Sequence, residues 1–278
     1  MQKNILLLSV SFLLTILVCN SQEQIHFKIG YLPNKIYNIT ISSSQVSNMR
    51  YLGPDSLLAD MKAKGDSLTK KTTQQSYYDA SMETFEKAKE KQEFGIEMSI
   101  NKMKIGLDSN LLPDGIKFLG KISGNSAPRF DSVVADGFDA ATKRQLMQMI
   151  QKMLSQVTFP EKDVKKGESF THELPIQLPV SGKFIKFKIV TKYTLMNINK
   201  GMAIFAVNQT YTMDSPDLNN SFSVTGDGDG ELLYDIQNNY YKKYQINLSL
   251  NTHTKTDKAE MVISAKSYFE ETAAIVTK

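Results

Sequence analysis

Residues 221–235, SFSVTGDGDGELLYD, carry three glycines alternating with two aspartates and a glutamate. A calcium loop, a phosphate cradle and a β-strand all compete for such a stretch. Parity decides between them. Phe222, Val224, Gly226, Gly228, Gly230, Leu232 and Tyr234 share one parity, and Ser223, Thr225, Asp227, Asp229 and Glu231 share the other. The period of two runs unbroken through the glycines, which predicts one long strand with the glycines on its core face. Glycine weakens a strand unless a bend or a closely packed group uses the bare backbone. The rival readings fail on spacing. An EF-hand loop opened at Asp227 needs glycine sixth and glutamate twelfth, where this chain has Leu232 and Asn238. A dinucleotide loop needs G-x-G-x-x-G before a helix, and here Gly230 comes too early and a strand follows. Asp227, Asp229 and Glu231 are therefore read as water-facing.

Working outward, the whole region from Pro160 onward alternates in the same way. Phe170, His172, Leu174, Ile176 and Leu178 share a face, as do Ile185, Phe187, Ile189, Thr191, Tyr193 and Leu195. A third set is Ala203, Phe205, Val207, Gln209, Tyr211 and Met213, with a turn before it at 197–201. Further strands are expected at 240–250 and 259–269. Long alternating strands joined by short turns predict an antiparallel meander with one face buried. Nearer the N-terminus, strands are expected at 25–29 and 35–41, with a turn at Asn34. Another is expected at 94–100; Met103 and Ile105 switch parity, so a bulge or a strand end is expected between.

Two segments read as helical. In 141–157, Leu146, Met149, Ile150, Met153, Leu154 and Val157 fall on one apolar face, which predicts a helix packed on the sheet. In 53–92, Pro54-Asp55 starts a short helix that Gly65 stops. Tyr78, Met82, Phe85 and Ala88 then recur at helical spacing on a polar background. This second stretch is expected to be a helical insertion or a flexible arm. The fold class expected is mainly β (α+β): a large curved antiparallel sheet or half-barrel packed on a helix.

The first 21 residues read as a signal peptide. One lysine, Lys3, precedes an apolar run from Ile5 to Val18, too short for a bilayer span. Its processing has two readings: cleavage after Ser21, or lipidation of Cys19, the one cysteine in the chain. Residues 22–278 then form a single exported domain without disulfides, placed in the periplasm, at the outer membrane or outside the cell.

The composition narrows the function further. Net charge is +4 and the lysines are scattered, not gathered into the basic stripe of a nucleic-acid binder. His26, His172 and His253 do not fall in metal-ligand spacing, and neither a G-x-S-x-G nor an H-E-x-x-H motif occurs. Glu168 and Glu173 lie on opposite parity and make no obvious acid/base pair. No catalytic residue, metal or cofactor is expected, and the chain is expected to be a monomer. The leading expectation is non-enzymatic binding of an apolar ligand, with Gly226, Gly228, Gly230 and His172 as candidate contacts and the bare glycines making room. An envelope protein-interaction module, with residues 76–93 as its contact, is the alternative; a hydrolase is the third.

Three motifs carry a resemblance: FPEKDVKKGESF (159–170), TKYTLMNINKGMAIFAV (191–207) and GDGDGELLYDIQNNYYKKYQINLSL (226–250). The chain resembles, over about 116–269, a family of uncharacterised exported proteins and lipoproteins of Bacteroidetes-type bacteria. Many members have tryptophan where Phe170 stands here. The resemblance implies a lipoprotein-carrier-like half-barrel and brings no catalytic residues with it.

Overall fold

In a computed structural model of the chain, residues 24–278 are described, apart from 88–92, 107–108, 111–114, 125, 157–159, 181–182, 214–221 and 256–258. The expected leader and Cys19 lie outside the described residues. In chain order the first elements are β1 (Gln24–Phe27), β2 (Lys35–Leu52), α1 (Asp55–Ala63), β3 (Thr69–Lys87), β4 (Glu93–Ile105), β5 (Ser109–Asn110), β6 (Ile116–Ser123) and β7 (Arg129–Val134). Then come α2 (Ala140–Gln156), β8 (Lys162–Lys165), β9 (Ser169–Val180), β10 (Lys183–Asn199), β11 (Met202–Met213), β12 (Phe222–Asp235), β13 (Tyr240–Lys255) and β14 (Glu260–Thr277).

One curved antiparallel sheet dominates, in the order β7-β6-β4-β3-β2-β14-β13-β12-β11-β10-β9, with β5 paired to β4. It does not close into a barrel. The chain builds outward from β2 to the β7 edge, crosses through α2 and β8 to the β9 edge, and meanders back until β14 pairs with β2. The first and last long strands thus meet in mid-sheet, along a register from Lys35↔Thr277 to Leu52↔Glu260. At one edge, β9 carries Pro175 and Pro179; a proline has no N–H to give a further strand, which suits it to an edge.

The predicted glycine strand is β12, paired with β11 and β13. Asp227, Asp229 and Glu231 are exposed, and Leu232 and Tyr234 on the other parity are buried. The bulge or strand end expected in β4 is a bulge: Ala80 pairs with Ile100 and Asp79 with Lys102, leaving Asn101 as the extra residue. The turn expected at 197–201 narrows to Lys200-Gly201, both at positive φ (48° and 77°), the two-residue geometry that matches the strand twist.

The reading of 53–92 needs correction. α1 is the short helix expected, but Thr69–Lys87 is a 19-residue strand, neither helix nor arm. Ala80, Met82 and Thr84 are its buried residues, a period of two. The helical spacing of Tyr78, Met82 and Phe85 is accidental, and Phe85 is 41% exposed. Neighbours on both sides, β2 and β4, override the helix formers of this polar stretch. The strand expected at 35–41 likewise runs on to Leu52, because β3 and β14 pair with its serine-rich half.

α2 packs on β7. Ile150 is buried, and Leu146, Met147 and Phe138 pack beside the core. Met149, expected on this face, is exposed; the side chains of Met153 and Leu154, and Val157, lie outside the described residues. The Gln151 amide locks the helix to the sheet: its Oε1 accepts from the Phe130 N–H at 2.9 Å and its Nε2 donates to the Pro128 carbonyl at 3.0 Å.

Candidate functional site

Register defines an inner face. One row reads His172↔Thr191↔Gln209↔Gly228↔Leu248↔Ser267 across β9 to β14. Rows on either side of it carry the remaining inward residues. At one end of the strands this face is sealed by the two-stranded β1–β8 ribbon. Phe27 of β1, fully buried, enters a cluster of rings, with Phe170 and Tyr234 at 5.0 Å, Phe205 at 5.2 Å and Tyr193 at 6.3 Å between centroids. The end of the FPEKDVKKGESF motif, KKGESF (165–170), builds this seal. Gly167 turns β8 into β9 at φ 85°, its N–H donates to the Leu195 carbonyl at 2.7 Å, and Phe170 then stacks on Tyr193.

Away from the seal, burial fades along β10 to β14. In β10, Leu195, Tyr193 and Thr191 are buried, but Ile189 and Phe187 are half-exposed; in β12, Tyr234 and Leu232 are buried and Val224 and Phe222 are half-exposed. Leu250, Ile263, Met261 and Met49 continue the half-exposed surface across β13, β14 and β2. The sheet therefore presents a curved apolar surface beyond its sealed end.

The glycines lie on this face, but their role differs from the one expected. A Cβ added at Gly230 would sit 2.0 Å from the Gln245 carbonyl oxygen and 2.8 Å from the Ile246 Cα. At Gly228 it would meet Leu248 at 2.4 Å and the Asn247 carbonyl at 2.9 Å, and at Gly226, Leu250 at 2.4 Å and the Ser249 carbonyl at 2.6 Å. The space beside each glycine is filled by β13. What the missing side chains accommodate is the close approach of the neighbouring strand β13. Large aliphatics of β13 cover the bare backbone.

His172 and Gly228 do share a row, three strand spacings apart, or roughly 14 Å. His172 is half-buried, and burial lowers its pKa. Between the two, Gln209 donates from Nε2 to Thr191 Oγ1 and to the Tyr244 hydroxyl, both at 3.1 Å, while Tyr211 donates to its Oε1 at 3.1 Å. This makes a polar seam in an apolar floor.

The seam leads to a residue that no motif marks. Glu271 of β14 stands on the inner parity with Phe269, Ala273 and Ile275, paired with Tyr244 on one side and Ile41 on the other. Its Oε1 accepts from the Tyr241 hydroxyl at 2.6 Å. Burial pushes the carboxyl above the usual carboxylate range, and the tyrosine hydrogen bond only partly opposes this. The tyrosines around it are raised as well. Burial lifts Tyr78 to about 12 and Tyr31, Tyr240, Tyr241 and Tyr244 further, and the Glu271 charge adds to each of these shifts. The sequence signal was an acid on core parity in EETAAIV.

The other candidates are structural. His26 is exposed and bridges Asp163 (2.8 Å) and Glu161 (2.9 Å), tying β1 to β8. Both carboxylates raise its pKa. His253 pairs with Glu260 at 3.2 Å on the outer face of the β13–β14 hairpin. Glu168 caps a turn by accepting from the Lys165 N–H, and Glu173 pairs with Lys188. Of the expected contact 76–93, residues 76–87 belong to β3 and Glu93 opens β4, both interior strands; residues 88–92 lie outside the described residues. A solvent-open depression of about 410 Å³ lies mainly on the outer face of β2 and β3, lined by Ser42, Ser44, Gln75, Tyr77 and Tyr268 among others.

No curated protein matches this chain. Among solved structures, the crystal structure of Pseudomonas aeruginosa OccK11 (OpdR) is similar over 89% of this chain and 98% of that one, at 7% identity and a TM-score of 0.24, a likeness that carries no argument. A family model described as "Family of unknown function (DUF6263)" matches residues 121–263, more than half of the chain, spanning β7 to β13 and thus the seal motif and the glycine strand. The chain belongs to the DUF6263 family.

Proposed function

We propose that this chain is an exported, non-enzymatic binding protein of the periplasm or outer membrane, and that it holds an apolar ligand against the inner face. One observation carries the reading: the apolar parity of β9 to β14 continues past the aromatic seal as a half-exposed surface. Apolar area left in water at this scale is worth about 25 cal/mol per Å² to whatever covers it, and exposed apolar surfaces of this kind mark binding sites.

The test is a titration with the neutral apolar dye N-phenylnaphthylamine. Ile263→Arg puts a charge on the inner face, whereas Ser264→Arg puts the same charge one residue away on the outer face. The reading expects saturable binding that Ile263→Arg weakens at least tenfold and Ser264→Arg leaves alone. Equal effects of the two substitutions, in variants that both melt cooperatively, contradict it.

A further inference from the structure

We propose that Glu271 and the tyrosines around it form a head-group subsite for an alkylammonium, at the boundary between the sealed core and the open inner face. This rests on the reading that the inner face binds an apolar ligand, and it names the chemistry of that ligand's polar end.

The geometry supplies the argument. Glu271 is an acid on a face whose neighbours in the same strand are Phe269 and Ala273. The other acids of β14 do not share its situation: Glu270, on the opposite parity, pairs with Lys243 at 2.9 Å, and Glu260 pairs with Lys255 and His253. Among the described residues no cation pairs with Glu271. The one hydrogen bond of its carboxyl among them is from Tyr241 to Oε1; Oε2 has no donor from these residues and is open to solvent, since no buried side-chain oxygen among them lacks a partner. A largely desolvated carboxyl without a counter-charge is costly, and a cation brought to it reduces that cost. An ammonium N–H replaces water at Oε2 with the stronger, charge-assisted form of the bond.

Behind the carboxyl the rings are packed: Tyr240 stacks on Tyr241 at 4.5 Å and Tyr31 lies 5.4 Å from Tyr240, with Tyr240 and Tyr241 buried, so the carboxyl itself is the group that a cation meets. From Glu271, the inner face runs outward through Phe269, Leu248 and Leu250 to Ile263, which offers an apolar bed to the alkyl chain. An anionic head meets no compensating charge at this position.

The experiment measures displacement of bound N-phenylnaphthylamine by dodecylammonium and by dodecanol, which share one chain length and differ in the head. In the wild type, dodecylammonium should displace the dye at a concentration at least tenfold below that of dodecanol. Glu271→Gln keeps the shape and the acceptor for Tyr241; it should bring the two ligands together and leave dodecanol unchanged. Glu270→Gln, on the outer face, should preserve the preference. Tyr241→Phe serves as a second variant should Glu271→Gln fold poorly: it frees Oε1 and should keep or strengthen the preference. Equal displacement by the two ligands in the wild type, or a preference that survives Glu271→Gln, overturns the subsite. Failure of the dye to bind at all overturns the apolar-face reading itself, which is a separate result.

Discussion

Replacing Phe27 by alanine tests how the inner face is sealed. The ring is fully buried and lies 5.0–6.3 Å from four other rings contributed by β9, β10, β11 and β12. A buried Phe→Ala substitution costs about 3–5 kcal/mol from lost transfer energy and the cavity left behind. Close ring pairs add roughly 0.5–1.5 kcal/mol beyond area, which places this site at the upper end of that range. For a chain of this size about 1 kcal/mol moves Tm by 2–4 °C, so the expected fall is on the order of 10–20 °C. The assay is thermal unfolding followed by near-ultraviolet circular dichroism, which reports the packing of these rings directly. Met196→Ala, at a side chain 54% exposed on the outer surface, is the control and should shift Tm by no more than about 2 °C. A fall for Phe27→Ala no larger than the control's would refute the reasoning, because β1 would then not be packed into the ring cluster.

Three further outcomes are expected. Gly230→Ala drives a Cβ into the β13 backbone and should cost about 1–3 kcal/mol by overpacking, while Gly30→Ala, with open space around it, should be neutral; equal denaturation midpoints would dismiss the close approach of β13. Thr84 is buried, accepts from the Lys35 N–H at 2.9 Å and donates to the Leu32 carbonyl at 2.7 Å, so Thr84→Val should cost about 1–3 kcal/mol by stranding both partners, read from urea unfolding. Glu271 has a raised folded-state pKa, so the folded chain holds this proton more tightly than the unfolded chain. Its contribution is fully present below the ordinary glutamate value and is lost as pH rises through the folded value. Tyr31, Tyr78, Tyr240, Tyr241 and Tyr244 are the titratable groups that face it. Glu271→Gln should therefore flatten the fall in stability between acid and neutral pH; parallel pH profiles for the two proteins would argue against a desolvated carboxyl.

The strands of the second half were legible because each carries its own parity. The sequence between Ser169 and Leu250 needs no partner to show which residues turn inward, and the Asn101 bulge was visible as a parity switch. β3 was not legible for the opposite reason. Its lysines, glutamines and glutamates suit a helix, and only the pairing of Ala80 with Ile39 and Ile100 makes it a strand. The serine-rich half of β2 is held in the same way, by neighbours far away in sequence. The glycines were placed on the correct face but assigned the wrong neighbour, since nothing in GDGDG says that β13 fills the space. The Glu271 site was hidden by distance. Tyr31, Tyr78, Tyr241 and Glu271 come from four separate segments that meet only because β14 pairs with β2.

The most direct measurement is native mass spectrometry of residues 22–278, purified gently from an exporting host and then incubated with lipids extracted from the cell envelope. The account predicts a reproducible added mass that organic solvent removes and that Ile263→Arg abolishes. A clean, unliganded mass for the wild type after that incubation would contradict it.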